Sequence, residues 1–286
     1  MAKLQVSDLT PAFGAVVEGI DVKTPLDAES RELLQHTFDA RGALYIHEPA
    51  LTFDYQRYLC GLFLGAEPGT EQSLAKSTPM FISNREPEAN APYGRLQFHY
   101  DMGWHPDPFQ VLSLYAADVE PGAATTSLTS CAHAYDILPD DLRRRIEGLH
   151  AVHVTGQQYR GAEDETADLL RPQRTEEKST TQPLVRLHPR TGRPLLYVSA
   201  MGTSHVVELP RAASDALLAE LFAVLYDPAL VYEHNWRNGD LVIFDNLLMQ
   251  HARGDVLADG PARTLRKVIA PVAYRDIESP KFENAR

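Results

Sequence analysis

Apolar and polar residues alternate from Val16 to Val22, as along a half-buried strand, and the period then changes to that of a helix. Between Asp27 and Phe38, Leu33, Leu34, Thr37 and Phe38 fall on one side, and Gly42 stops the helix before a strand at Ala43-Leu44-Tyr45-Ile46. A second helix is predicted from about Thr52 to Phe63, with Phe53, Tyr55, Leu59, Leu62 and Phe63 as its core stripe and Gly65 as its end. Residues 66–94 are polar and rich in turns, with one short strand at Met80-Phe81-Ile82; such a long loop in a compact domain is more often functional than idle. Beyond residue 95 strands dominate. Runs at 95–101, 111–117, 123–128, 149–154, 184–198 (a hairpin about Gly192), 241–244 and 262–270 are separated by helices at 140–146 and 214–226. Gly156 to Gln182 is almost entirely polar and without period, which predicts a lid-like insertion. The pattern predicts one domain over residues 1–286, mainly β with flanking helices (α+β), in a closed or double-sheet architecture such as a jelly roll.

Charge narrows the function. A net charge of −12 argues against a surface that tracks nucleic acid or an anionic membrane, so a small-molecule substrate is expected. Cys60 and Cys131 are the only cysteines and form no Cys-x-x-Cys pair, which argues against a disulfide framework and against a thiolate zinc site. The first residues lack the apolar core of a signal peptide and no run approaches a membrane span, so a cytoplasmic protein is expected.

The chemistry centres on Phe98-His99-Tyr100-Asp101-Met102-Gly103-Trp104. In an extended strand, residues two apart share a face, so His99 and Asp101 can converge on one metal ion. A third ligand is offered by His251, which follows the apolar run Leu241-Val242-Ile243-Phe244. Two histidines and one carboxylate with open positions form the facial triad of non-haem Fe(II) oxygenases. The same parity puts Arg95 and Gln97 on the His99 face, where a buried arginine would need an anion; if the strand is frayed before Phe98, Arg95 is solvated instead. In the last strand Arg263, Leu265 and Lys267 face one way, and Arg263 is placed to seat a dicarboxylate co-substrate. Two rivals share these residues: a zinc hydrolase using a metal-bound water, and a non-catalytic jelly roll that binds a small molecule.

These residues resemble those of the taurine/chlorophenoxyacetate dioxygenases, Fe(II)- and 2-oxoglutarate-dependent enzymes built on a double-stranded β-helix, a cupin-like jelly roll. The resemblance runs from Gly14-Ala15-Val16-Val17-Glu18-Gly19-Ile20-Asp21 through His99-Tyr100-Asp101, His188-Pro189-Arg190-Thr191-Gly192 and Gly239-Asp240-Leu241-Val242-Ile243-Phe244-Asp245-Asn246 to His251 and Arg263. It implies that His99, Asp101 and His251 bind Fe(2+), that Arg263 grips the distal carboxylate of 2-oxoglutarate, and that Thr126 hydrogen-bonds it. Thr126 stands in Ala123-Ala124-Thr125-Thr126, where the family usually reads Gly-Gly-Asp-Thr. Lys267 and Arg95 together point to a carboxylate or sulfonate substrate, with Gln97, Trp104 and Tyr159 shaping the pocket and Phe98 packing in the core. The implied reaction consumes O2, releases succinate and CO2, and hydroxylates an unactivated carbon. Desaturation and ring closure share its first steps. The carboxylate of Asp101 disfavours halogenation, since related halogenases carry a small residue there. Members of the family often form dimers or tetramers.

Overall fold

A computed structural model describes residues 4–64, 79–87, 89–155 and 178–270. The N-terminal part forms β1 (Gln5–Asp8), β2 (Ala15–Glu18), α1 (Ala28–Arg41), β3 (Ala43–His47), α2 (Phe53–Leu62) and β4 (Met80–Ser83). The middle of the chain gives β5 (Leu96–His99), β6 (Val111–Val119), β7 (Thr126–Ser130), α3 (Cys131–Asp136), α4 (Asp140–Ile146), β8 (His150–Val154), β9 (Ser179–Pro183), β10 (Val185–Leu187) and β11 (Pro194–Leu196). It closes with β12 (Thr203–Val206), α5 (Arg211–Leu225), β13 (Tyr232–His234), β14 (Asp240–Asp245), β15 (Met249–Arg253) and β16 (Arg263–Ala270).

The first two helices begin where side chains cap them. Asp27 accepts the Ser30 N–H at 2.7 Å to start α1, and Thr52 accepts the Tyr55 N–H at 3.2 Å to start α2. The strands order as β1-β2-β3-β14-β6-β16-β4 in a seven-stranded sheet and as β13-β7-β15-β5 in a four-stranded one. From β3 onward in the larger sheet, and throughout the smaller one, neighbours are far apart in sequence, as a jelly roll requires. The larger sheet is covered on both faces. Val242, Phe244, Leu112, Leu114 and Leu265 join Leu128 and Met249 of the smaller sheet in one core. Leu241, Ile243, Val111 and Val268 meet Leu34 and Phe38 of α1 and Leu59 and Cys60 of α2 in a second. All six residues of β14 are buried, which is why its middle four, Leu241 to Phe244, read as an unbroken apolar run between two aspartates. Burial of each such Leu, Ile or Phe contributes about 1.5–3 kcal/mol.

One tight approach fixes the entry to β14. Gly239 has φ of 91°, and a Cβ there would lie 2.9 Å from Pro49 Cα. Just after it, the buried Asp240 accepts hydrogen bonds from Tyr45 Oη (2.9 Å), the Arg237 N–H (2.8 Å), His47 Nδ1 (2.8 Å) and His234 Nε2 (3.2 Å). Burial opposes its charge, but the hydrogen bonds from His234 and His47, with those from the Arg237 N–H and Tyr45, hold the Asp240 carboxyl below the usual carboxylate range.

Several expectations are corrected. The first alternating strand ends at Glu18, because Gly19 turns the chain at φ of 78°. Leu33 of α1 is exposed, since Leu34 and Phe38 alone reach the core. A short helix not singled out from the sequence, α3, follows β7, where Ser130 caps it by accepting the His133 N–H at 3.2 Å. Of the expected lid, residues 156–177 lie outside the described residues, while Ser179–Gln182 belong to β9, paired antiparallel with β8. Among the described residues no helix is long and apolar enough to cross a membrane.

Candidate metal centre

His99 is the last residue of β5 and stands opposite His251 of β15 in the smaller sheet. Their rings lie 4.2 Å apart at 44°. His99 Nδ1 is 2.7 Å from the Gln97 carbonyl, so the proton sits on Nδ1 and Nε2 is left as the ligand atom. Asp101 Oδ1 lies 3.3 Å from His99 Nε2 and 3.7 Å from His251 Nε2. One ligand atom from each of the three falls within 4.8 Å of the other two, and among the described residues this is the one such cluster. Ligands held at about 2.1 Å in adjacent octahedral positions stand about 3 Å apart, so the cluster has the size of a metal site.

The charges fit as well. Burial first, then the neighbouring His99 and the Lys267 ammonium, push His251 well below the ordinary histidine value and keep it neutral, as a ligand must be. Burial would raise the Asp101 carboxyl, but Lys267 and the two imidazoles outweigh it and hold the group well below the usual range. Lys267 Nζ pairs with Asp101 Oδ2, the oxygen turned from the histidines.

Asp101 does not arrive as expected. β5 stops at His99, Tyr100–Trp104 turn, and Met102 takes φ of 59°, so strand parity does not carry the carboxylate to the site. Asn246 does. Its Oδ1 accepts the Asp101 N–H at 3.0 Å and its Nδ2 donates to the Asp101 carbonyl at 2.9 Å.

Arg263 begins β16 and is 2% exposed. Its Nε donates to the Ala124 carbonyl at 2.8 Å and its Nη2 to Thr126 Oγ1 at 3.0 Å. Thr126 also accepts from Trp236 Nε1 at 3.1 Å, so its own hydroxyl hydrogen is free to donate. Burial, then Arg253, lowers Arg263 to about 9. Among the described residues it meets only neutral acceptors, and a buried guanidinium in that setting calls for an anion. Thr126 pairs with Arg253, which stands two residues, roughly 7 Å, from His251 along β15.

The remaining candidates separate. A register shift between His251 and Arg253 breaks the alternation on β5, and of the two readings of Arg95 the structure shows the solvated one. Arg95 is exposed, on an open groove of about 350 Å³ shared with Phe98, Ala252 and Tyr226 and with none of the three ligands. Phe98 stacks on Tyr226 at 4.5 Å and 8°, in keeping with packing. Gln97 serves through its carbonyl, while its side-chain Oε1 is buried without a partner. Trp104 is half-buried, with Lys178 Nζ 5.3 Å from its ring. Tyr159 lies outside the described residues. Sequence reasoning missed Arg253, whose guanidinium donates to the carbonyls of Ala91, Tyr93 and Gly94 at 2.6–3.0 Å; parity with His251 was its one available signal. It also missed the role of Asn246, although the residue stands inside a recognised motif.

A facial His-Asp-His cluster between the sheets of a jelly roll, with a buried arginine near it, defines the class of 2-oxoglutarate-dependent oxygenases. Residues 5–269 match the family described as taurine catabolism dioxygenase TauD, TfdA family. The chain belongs to that family and is an α-ketoglutarate-dependent dioxygenase. It is 32% identical over 268 residues to an α-ketoglutarate-dependent 2,4-dichlorophenoxyacetate dioxygenase of Burkholderia sp., covering 87% of this chain and 89% of the relative. It is 29% identical over 280 residues to pentalenolactone F synthase of Streptomyces avermitilis, covering 90% of each. Among solved structures, a taurine dioxygenase from Burkholderia xenovorans superposes with a TM-score of 0.72 at 23% identity, covering 93% of this chain and 90% of that one. AAD-2 in complex with Mn(II) and N-oxalylglycine superposes with the same TM-score and identity over 94% and 97%. The family sets aside the zinc hydrolase and the non-catalytic binder.

Proposed function

We propose that this dioxygenase hydroxylates a small organic anion, a carboxylate or sulfonate, at an unactivated carbon. His99, Asp101 and His251 hold the ferrous ion, Arg263 with Thr126 seats the distal carboxylate of 2-oxoglutarate, and Lys267 meets the acidic group of the substrate. Ferrous iron, when bound, supplies the O2 chemistry that couples decarboxylation of 2-oxoglutarate to succinate with oxidation of the substrate. The protein's share is orientation and charge. The Nδ1 bond to Gln97 turns His99 Nε2 to the metal. Arg263 offers a permanent cation in a site that water does not reach, and the free Thr126 hydroxyl hydrogen adds a neutral donor.

The single observation that carries this reading is the buried Arg263, paired only with neutral acceptors among the described residues and set on the same strand as Lys267, which pairs with Asp101 of the His-Asp-His cluster. The anionic substrate is supported by Lys267, the only lysine or arginine among the described residues paired with Asp101. It carries a positive charge to the substrate side once a metal has taken up the carboxylate. Relatives act on such compounds by name: 2,4-dichlorophenoxyacetate in Burkholderia and a sulfonate in the α-ketoglutarate-dependent sulfonate dioxygenase of Saccharomyces cerevisiae, which is 24% identical. Arg95, exposed, is left outside the proposed site.

The test is succinate release from Fe(II)-loaded protein against a panel of carboxylates, sulfonates and their neutral amides. Turnover should be stimulated by anions and not by the amides, and Lys267→Gln should raise the KM for the best anion at least about tenfold, the worth of one charge-assisted hydrogen bond. Equal stimulation by an acid and its amide refutes the anionic substrate.

A further inference from the structure

Two of the three metal ligands are set by strand pairing, since His99 and His251 face each other in the ladder of β5 and β15. The third is not, because Asp101 lies beyond the end of β5, next to a residue of positive φ. A side chain therefore has to do what the ladder does for the histidines. Asn246 is fully buried and takes both main-chain groups of Asp101, with a further bond from Nδ2 to the Phe109 carbonyl at 3.1 Å. A planar amide facing a peptide in this way fixes distance and tilt together, as a ladder pair would.

The far side of Asn246 is equally fixed. Its N–H donates to the Gln110 carbonyl at 2.7 Å. The preceding Asp245, fully buried, accepts the N–H groups of Leu247 and Leu248 at 2.9 and 3.1 Å through Oδ1. Through Oδ2 it meets His188 Nε2 at 3.1 Å and Arg190 Nη2 at 2.6 Å, both from the turn between β10 and β11. Arg190 continues to Asp39 of α1 at 2.8 Å and to Gln110 Oε1 at 2.9 Å. Asn246 thus ties the Asp101 turn to the connection between β14 and β15, and five residues later that connection delivers His251.

We propose that Asn246 is the positioning residue of the metal carboxylate: it holds the Asp101 peptide so that Oδ1 stays beside the two Nε2 atoms, and the Asp245, His188 and Arg190 cluster keeps Asn246 in place. This rests on the metal centre described above. It accounts for the His188-Pro189-Arg190-Thr191-Gly192 motif, which touches neither metal nor co-substrate ligands yet braces the residue that aims one of them. Supporting partners of metal ligands are commonly worth 10- to 100-fold in metal affinity.

The experiment measures Co(II) and Mn(II) affinity of the full chain without 2-oxoglutarate, by calorimetry and by the visible Co(II) spectrum, beside the melting temperature of the metal-free protein. Asn246→Ala should bind both metals about 10- to 100-fold more weakly, with an altered Co(II) spectrum. Gln56→Ala serves as the matched loss of stability, since Gln56 is a buried amide bonded to Ser113 and Arg266 on the opposite face of the larger sheet; it should melt lower and keep wild-type metal affinity. Asn246→Ser, which leaves a smaller hole, should move affinity in the same direction and serves where the alanine variant does not fold. Wild-type affinity in a folded Asn246 variant, or an equal loss in Gln56→Ala, overturns the positioning role while leaving the metal centre standing. Failure of the wild-type protein to bind either metal overturns both.

Discussion

Replacing Arg263 separates the stability of the fold from the binding of 2-oxoglutarate. The guanidinium is 2% exposed and has neutral acceptors at 2.8 and 3.0 Å. Burial lowers it from the ordinary 12.5 to about 9, which at about 1.4 kcal/mol per pH unit is a cost of at most about 5 kcal/mol in the ligand-free fold. Arg263→Met keeps the length of the side chain and removes that cost, while losing two hydrogen bonds worth about 1 kcal/mol each. The metal-free, ligand-free variant should therefore melt at or above the wild-type temperature. Binding of 2-oxoglutarate should collapse. Two charge-assisted hydrogen bonds at about 1.5–3 kcal/mol each amount to about 3–6 kcal/mol, or about 10²- to 10⁴-fold in Kd. Anaerobic calorimetry with metal-loaded protein reads the affinity and differential scanning fluorimetry reads the melting point. A variant that binds 2-oxoglutarate within threefold of wild type, or that melts far lower with its affinity intact, refutes the assignment of Arg263 to the co-substrate and makes it a structural residue.

Alanine at His251 or Asp101 should each weaken Co(II) binding by at least about 100-fold in titrations of the metal-free protein, because either removes one of three ligands and the latter also strands Lys267. Asp240→Asn should cost about 2–4 kcal/mol in urea unfolding at pH 7, as a buried carboxylate with four donors is replaced by a neutral amide. Because the folded carboxyl lies below the unfolded value of 3.8, its contribution is complete above about pH 4 and fades as pH falls through the folded value; the gap between wild type and variant should narrow there and stay constant above it. Gly239→Ala should cost at least about 1–2 kcal/mol in the same assay, since the added Cβ meets Pro49 and the backbone is left-handed. Cys60 and Cys131, buried and pushed up to about 12 and about 11, should give no reaction with a thiol reagent until the protein unfolds.

The sequence by itself determined the elements and the chemistry of the donors. Hydrophobic period placed α1, α2, α5 and the core strands because burial on one face leaves a repeating mark on the chain, and His99, Asp101, His251 and Arg263 could be singled out because few residue types can bind a metal or a buried carboxylate. Only the tertiary structure decided which side chains meet. Parity along β5 failed at Arg95 because a register shift, invisible in composition, reset the alternation. The place of Asp101 depends on Asn246, and that of Asn246 on Asp245, His188 and Arg190, residues whose motifs stand in the sequence but whose mutual contacts do not. Contacts of this kind join segments by hydrogen bonds of particular length and direction. Those directions come from packing two sheets and a hairpin together, and no local stretch of sequence encodes them.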